Sequence, residues 1–194
     1  MSLFSSREAS GDSEQLEFHP GNGNAEFMNG ASLKLFKQRL KTIEPDRHYH
    51  FSTGGQWNLY ELIAYLLLIT GPAKVYMSTW AIMEDAVREY LNMKSRSLIT
   101  ELHAIFDYKV KTQKTEALLL AENEFTSVSL AKNHSKVTVI TNADWGITVV
   151  GSANQTRNPR IERGVVCTCR DVADFDIQWM EQVMNNENPF KVRL

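Results

Sequence analysis

The chain has 194 residues, 43% hydrophobic and 23% charged, with a formal net charge of −2; this is the composition of a soluble globular protein large enough for one domain with a real core. So small a net charge excludes a surface that attracts nucleic acid everywhere. The apolar run from Leu59 to Ile69 is too short to cross a bilayer and carries Glu61, and no basic region followed by an apolar one opens the chain. A cytoplasmic protein with no stable membrane association is expected.

Residues 1–30 are rich in Ser, Gly, Asn and Glu without apolar periodicity, which predicts a flexible N-terminal tail and leaves 31–194 as the folded domain. Leu33-x-x-Phe36 can open a short helix through Leu40. Tyr49 to Ser52 reads as a strand and Thr53-Gly54-Gly55 as the turn after it. A helix then starts at Asn58, an N-cap with Glu61 three residues on, and stops at Gly71-Pro72. Lys74 to Ser78 is a second strand, and Met83, Ala86, Val87, Tyr90 and Leu91 form the inward stripe of a second helix. Leu102-x-Ala104-x-Phe106 alternates as a strand, Thr115 to Glu124 is helical, and Phe125 to Leu130 is again a strand. Val137-Thr138-Val139-Ile140 and Ile147-Thr148-Val149-Val150 are β-branched runs separated by a turn-like segment, and Gly164 to Thr168 adds another strand. Val172, Phe175, Trp179, Met180 and Val183 mark a last amphipathic helix. Alternating β and α units that close with a hairpin predict an α/β sandwich with a mixed sheet flanked by helices.

Chemistry concentrates around that hairpin. His134 and Lys136 precede its first strand, Gly151-Ser152-Ala153-Asn154 follows its second, and Glu162 lies shortly beyond. Residues two apart on a strand share a face, so His134 pairs with Lys136 and Ser152 with Asn154. A hairpin turning about Asp144 sets His134 opposite Asn154 and Lys136 opposite Ser152, with Cβ atoms roughly 4.5–5.5 Å apart. A one-residue slip would send half of these groups to the other face. The set offers a nucleophile usable near neutrality, a fixed cation, two small polar groups for phosphate oxygens and a carboxylate, which suits attack on a phosphodiester without metal or other cofactor.

These residues resemble the phospholipase D superfamily, whose signature is H-x-K, four residues, D, six residues, G-S-x-N. His134-Ser135-Lys136 matches the first part, and Asp144 followed by six residues and Gly151-Ser152-Ala153-Asn154 matches the second. The departure lies between them, where seven residues separate Lys136 from Asp144 and Thr141 stands at the position of the family's Asp. The resemblance implies His134 as nucleophile, forming a phosphohistidine, with Lys136, Ser152 and Asn154 holding the non-bridging oxygens. Glu162 would steady an imidazolium. In the family two motif copies meet at one site; one copy per chain therefore implies a homodimer in which a second His134 protonates the leaving oxygen.

Residues 131–170 carry a balance of +4, leaving −6 for the remainder. Arg157, Arg160 and Arg163 are expected to contact a phosphate backbone, the competing reading being a solvated arginine loop. The Gly54 and Gly55 amides lead into a helix N-terminus and are candidate phosphate ligands, against an ordinary strand-to-helix turn. His48 and His50 share a strand face, but no further metal ligand is identifiable, so structural or rim positions are expected. Cys167 and Cys169 also share a face; a disulfide across so short a loop is disfavoured, reduced thiols are expected, and two ligands do not make a zinc site. Trp57 and Trp145 could stack on a base or an acyl chain, with partial core burial the safer reading. Three functions stay open: a homodimeric endonuclease on DNA or RNA, which the short single-motif chain favours; a lipid phosphodiesterase or transphosphatidylase; and an inactive nucleic-acid-binding module.

Overall fold

The β-branched runs and capped helices read from the sequence assemble into a mixed sheet with helices on both faces. In the computed structural model, the described residues are 18–20, 25–29, 34, 37, 38, 40, 43–157 and 159–187. Their strands are β1 (Phe18–Pro20), β2 (Ala25–Asn29), β3 (His48–Thr53), β4 (Ala73–Thr79), β5 (Ile99–Asp107), β6 (Ser127–Ala131), β7 (Val137–Thr141), β8 (Gly146–Gly151) and β9 (Glu162–Cys167). The helices are α1 (Leu59–Thr70), α2 (Glu84–Ser95), the short α3 (Val110–Gln113), α4 (Thr115–Glu124) and α5 (Arg170–Met184). The strands form one sheet in the order β1-β2-β3-β9-β8-β7-β4-β5-β6. β4, β5 and β6 run parallel, whereas β7, β8 and β9 form an antiparallel block inserted between β4 and β3.

Alternation along the central strands divides the core. Val75 and Met77 of β4, Leu102, Ala104 and Phe106 of β5, and Ile140 of β7 pack with α1, α2 and α4. Tyr76, Ile105, Val137 and Val139 point to the other face and meet Ala173 and Met180 of α5. These strands are buried on both sides, which is why they read as nearly continuous apolar runs. α1 starts where expected: the Glu61 carboxylate accepts from the Asn58 N–H at 2.6 Å, and Gly71 ends the helix with φ 74°, a conformation a side chain would strain.

Two expectations are corrected, and a third lies outside the described residues. β1 and β2 lie within the stretch read as a flexible tail: Ala25–Asn29 pairs in parallel with β3, and backbone pairing at a sheet edge needs no apolar alternation to announce it. Leu33 and Phe36 of the short helix fall outside the described residues. The stripe assigned to α5 holds in its second half, where Met180 is buried with Trp179 and Val183 packed beside it, but fails in the first turns, where Ala173 faces the core and Val172 and Phe175 are exposed. Trp57, by contrast, is in the core, edge-on to Phe51 with ring centroids 5.0 Å apart.

Candidate active site

The strand registers bring the two motif halves to one edge of the sheet. Ser78 near the end of β4 pairs with Val137 at the start of β7, Val137 with Val150, Gly151 with Gly164, and Glu162 with Thr53 at the end of β3. His134 to Lys136 and Ser152 to Asn154 lie just beyond the strand ends, in the connections on this edge. The predicted register is therefore corrected. Thr141 pairs with Gly146, so the hairpin has a four-residue loop and opposite parity from that expected about Asp144. Asn142 fixes the loop, its Oδ1 accepting from the N–H groups of Asp144 and Trp145 at 3.0 and 2.9 Å. The motif residues still converge because they have left the pleat by the time they reach the edge. Asp144 is exposed at the opposite end of the hairpin and takes no part.

The H-x-K half hangs on Asn133. Its Nδ2 reaches Ser78 Oγ at 2.9 Å and the Thr79 and Ile105 carbonyls at 3.2 Å, and its Oδ1 accepts from Ser135 N and Oγ at 2.9 and 2.7 Å. Asp107, at the end of β5, accepts from the Asn133 and Lys109 backbone N–H groups, each at 3.0 Å. Burial works to raise the Asp107 pKa, but these two donors outweigh it, and with Lys109 and His134 nearby the carboxyl is held below its ordinary range. This clamp turns His134 outward against Trp80, with ring centroids 5.7 Å apart, and Lys109 Nζ lies 5.4 Å from the Trp80 centroid. His134 also borders an open cleft of about 710 Å³ that is lined further by Tyr108, Lys132, Trp179 and Val183. Lys136 Nζ stands 3.4 Å from His134 Nδ1 and donates to the His134 carbonyl at 2.8 Å. Burial pulls the Lys136 pKa down, and the Glu162 carboxylate works against that.

The G-S-x-N half is placed by backbone contacts. Gly151 N donates to Lys136 O at 3.2 Å and Ser152 N to Arg163 O at 2.9 Å. A Cβ on Gly151 would meet Arg163 O at 2.7 Å, so the close approach of β8 to β9 requires glycine. Gln155 pins the next turn: its N–H donates to Ala81 O and its carbonyl accepts from Met83 N, while its buried side chain joins Tyr90 and Thr138. The Ser152 hydroxyl donates to Glu162 Oε2. Asn154 and Glu162 line a shallow cleft with Thr53, Gly55 and Trp57, and Asn154 Oδ1 is buried there without a hydrogen-bond donor among the described residues.

No protein-family model matches the chain, and no curated protein matches it in sequence. Solved structures do match in fold. Nuc from Salmonella typhimurium, a phospholipase D family member, superposes with a TM-score of 0.54 at 15% identity, over 68% of this chain and 90% of that one. NucT from Helicobacter pylori gives 0.53 at 20% identity, over 73% and 96%. The fold is that of the phospholipase D family. Polyphosphate kinase from Porphyromonas gingivalis also matches, with a TM-score of 0.53 at 12% identity, over 80% of this chain but 30% of its own.

Within this phospholipase D fold, His134, Lys136, Ser152, Asn154 and Glu162 gather at one edge, whereas some of the expected substrate contacts do not. Gly54 N is taken by Gln56 Oε1 at 2.7 Å and Gly55 N lies 3.3 Å from Thr53 Oγ1, so the turn satisfies its own amides. Arg163 turns to His50, with Nη2 3.2 Å from Nδ1, on the face of β9 opposite to Glu162. Arg157 and Arg160 are exposed in the connection from β8 to β9. Arg170, counted with the basic patch, serves the far turn instead, donating to Thr141 Oγ1 at 3.0 Å and Asn142 O at 2.9 Å. Sequence reasoning missed Asn133, Asp107 and Gln155, whose roles rest on partners distant in the chain. None of the described helices is long and apolar enough to cross a membrane.

Proposed function

We propose that the protein is a phosphodiesterase, an endonuclease acting on DNA or RNA through a phosphohistidine on His134, with the complete site formed where two copies of the chain meet. The observation that carries this reading is the Lys136 ammonium, which touches His134 and shares its electrostatics with Glu162, so that both motif halves serve one charge centre. A neutral His134 imidazole attacks phosphorus and the P–O bond to the leaving group breaks, the leaving oxygen taking its proton from a second imidazole, His134 of the partner subunit. Water then displaces the imidazole and returns a proton to that partner. Lys136 supplies fixed positive charge for the non-bridging oxygens, so the chemistry needs no metal. Ser152, held by Glu162, and the Asn154 amide, which presents a donor when turned end for end, complete the cradle.

Nucleic acid is favoured as substrate because exposed Arg157 and Arg160 flank one half, while Lys109, Lys132 and the faces of Trp80 and Tyr108 flank His134. The test is cleavage of plasmid and single-stranded DNA in EDTA, with His134→Ala as control and phosphatidylcholine and a chromogenic phosphodiester assayed alongside. Cleavage that survives EDTA and disappears in the folded variant supports the reading. Cleavage by His134→Ala at the wild-type rate, or hydrolysis of lipid alone, overturns it. Sedimentation of a monomer at active concentrations removes the shared site.

A further inference from the structure

We propose that His48, Cys167 and Cys169 form a zinc site at the end of the sheet opposite the candidate active site, binding one Zn²⁺ per chain and tying β3, β9 and the N-terminus of α5 together. His48 and Cys167 are direct cross-strand partners in β3 and β9, and Cys169 is the N-cap of α5. His48 Nε2 lies 3.9 Å from Cys167 Sγ and 3.7 Å from Cys169 Sγ, and the three ligand atoms all fall within 4.8 Å of one another. A tetrahedral zinc, with Zn–S of about 2.3 Å and Zn–N of about 2.0 Å, sets N–S separations near ~3.6 Å and S–S near ~3.8 Å. The ion therefore fits with little more than side-chain adjustment.

The backbone between the cysteines is already fixed for this purpose. Thr168 is buried; its Oγ1 donates to Glu44 O at 2.6 Å and accepts from Arg47 N at 2.9 Å, and its N–H donates to Arg47 O at 2.9 Å. Both thiols are thereby turned to the same side, toward the imidazole. Two thiolates and an imidazole select zinc over magnesium or calcium. Cys167 is buried while Cys169 and His48 are half-buried, which leaves the fourth position to water. β3 runs from His48 to Thr53, so at ~3.3 Å per residue the ion would stand roughly 17 Å from the edge that carries Glu162. Its role is to clamp the fold, apart from the phosphodiester chemistry.

The experiment uses the full chain, reduced and stripped with chelator, titrated with Zn²⁺ alone and, separately, with Co²⁺ as a spectroscopic probe. One ion per chain, a thiolate-to-cobalt charge-transfer band and a rise in the thermal midpoint with zinc are expected. Cys169→Ser and His48→Gln, at the two less buried ligands, should each weaken zinc binding beyond the ~10–100-fold that removal of a group hydrogen-bonded to a ligand costs. The proposal is overturned if wild-type protein gives no thiolate–cobalt band, if both variants bind zinc as the wild type does, or if Cys167 and Cys169 are isolated as a disulfide that fails to load after reduction. His134→Ala should keep the cobalt spectrum, so this site and the nuclease reading stand or fall separately.

Discussion

The two halves of the candidate site reach the same edge by different means. The His134 half is held by side chains, with Asn133 clamped between Ser78, Thr79 and Ile105 and backed by Asp107. The Asn154 half is held by main chain, through the approach of Gly151 to β9 and the bridge of Gln155 to the segment after β4. A side-chain clamp can lose one partner while the strands around it stay paired. A backbone approach cannot be altered without moving the strand. The first half should therefore yield variants that fold well and work badly, and the second half variants in which stability and activity fall together.

The largest expected effect is on chemistry itself. His134→Ala should lower single-turnover cleavage by at least ~10³-fold while nucleic-acid affinity stays near wild type, because the imidazole acts chiefly in the transition state. Asn133→Ala should come next, lowering kcat by roughly 10²-fold through a misplaced imidazole with little change in KM; an unchanged kcat would remove Asn133 from the positioning machinery. Gly151→Ala should cost about 1–3 kcal/mol in denaturant unfolding through its clash with Arg163 O, and a fully stable variant would contradict the main-chain account. Arg157→Ala or Arg160→Ala should reduce the log–log salt slope of binding by about one unit for each phosphate left without its arginine, with the unfolding midpoint unmoved.

The smallest effect is on acid stability. The Asp107 carboxyl is held below its unfolded value, so its contribution is fully present above the ordinary carboxylate pKa of about 3.9 and is lost as pH falls through the lower folded value. Asp107→Asn should flatten that acid limb, measured as unfolding midpoint against pH. An unchanged limb would show that the clamp around Asn133 does not depend on the charge.

Much of the fold was legible because its signals are local. Asn58 with Glu61 and Gly71 with Pro72 bound α1, and the β-branched runs gave β7 and β8 nearly to the residue. The candidates His134, Lys136, Ser152, Asn154 and Glu162 could be singled out because they sit at fixed spacings around one hairpin. Register parity was not, since the four-residue loop depends on how Asn142 folds back on Asp144 and Trp145, and several turns fit the same composition. Asn133, Asp107 and Gln155 were missed because an amide or carboxylate near a strand end has no meaning until its partners are known. His48, Cys167 and Cys169 were each noticed, but β3 lies against β9 only through the sheet order, which no local pattern encodes.

That sheet order also governs how the chain assembles. β4, β5 and β6 pair with near neighbours, and the β7–β8 hairpin closes on itself, so these pieces can form early. β3 must wait for β9, with His48 and Cys167 119 residues apart. During synthesis from the N-terminus, the β3 edge that β9 will cover stays open until most of the chain has emerged. The slowest productive step should therefore be this last pairing, and a chain cut short before residue 162 would expose that edge as a template for association with other copies.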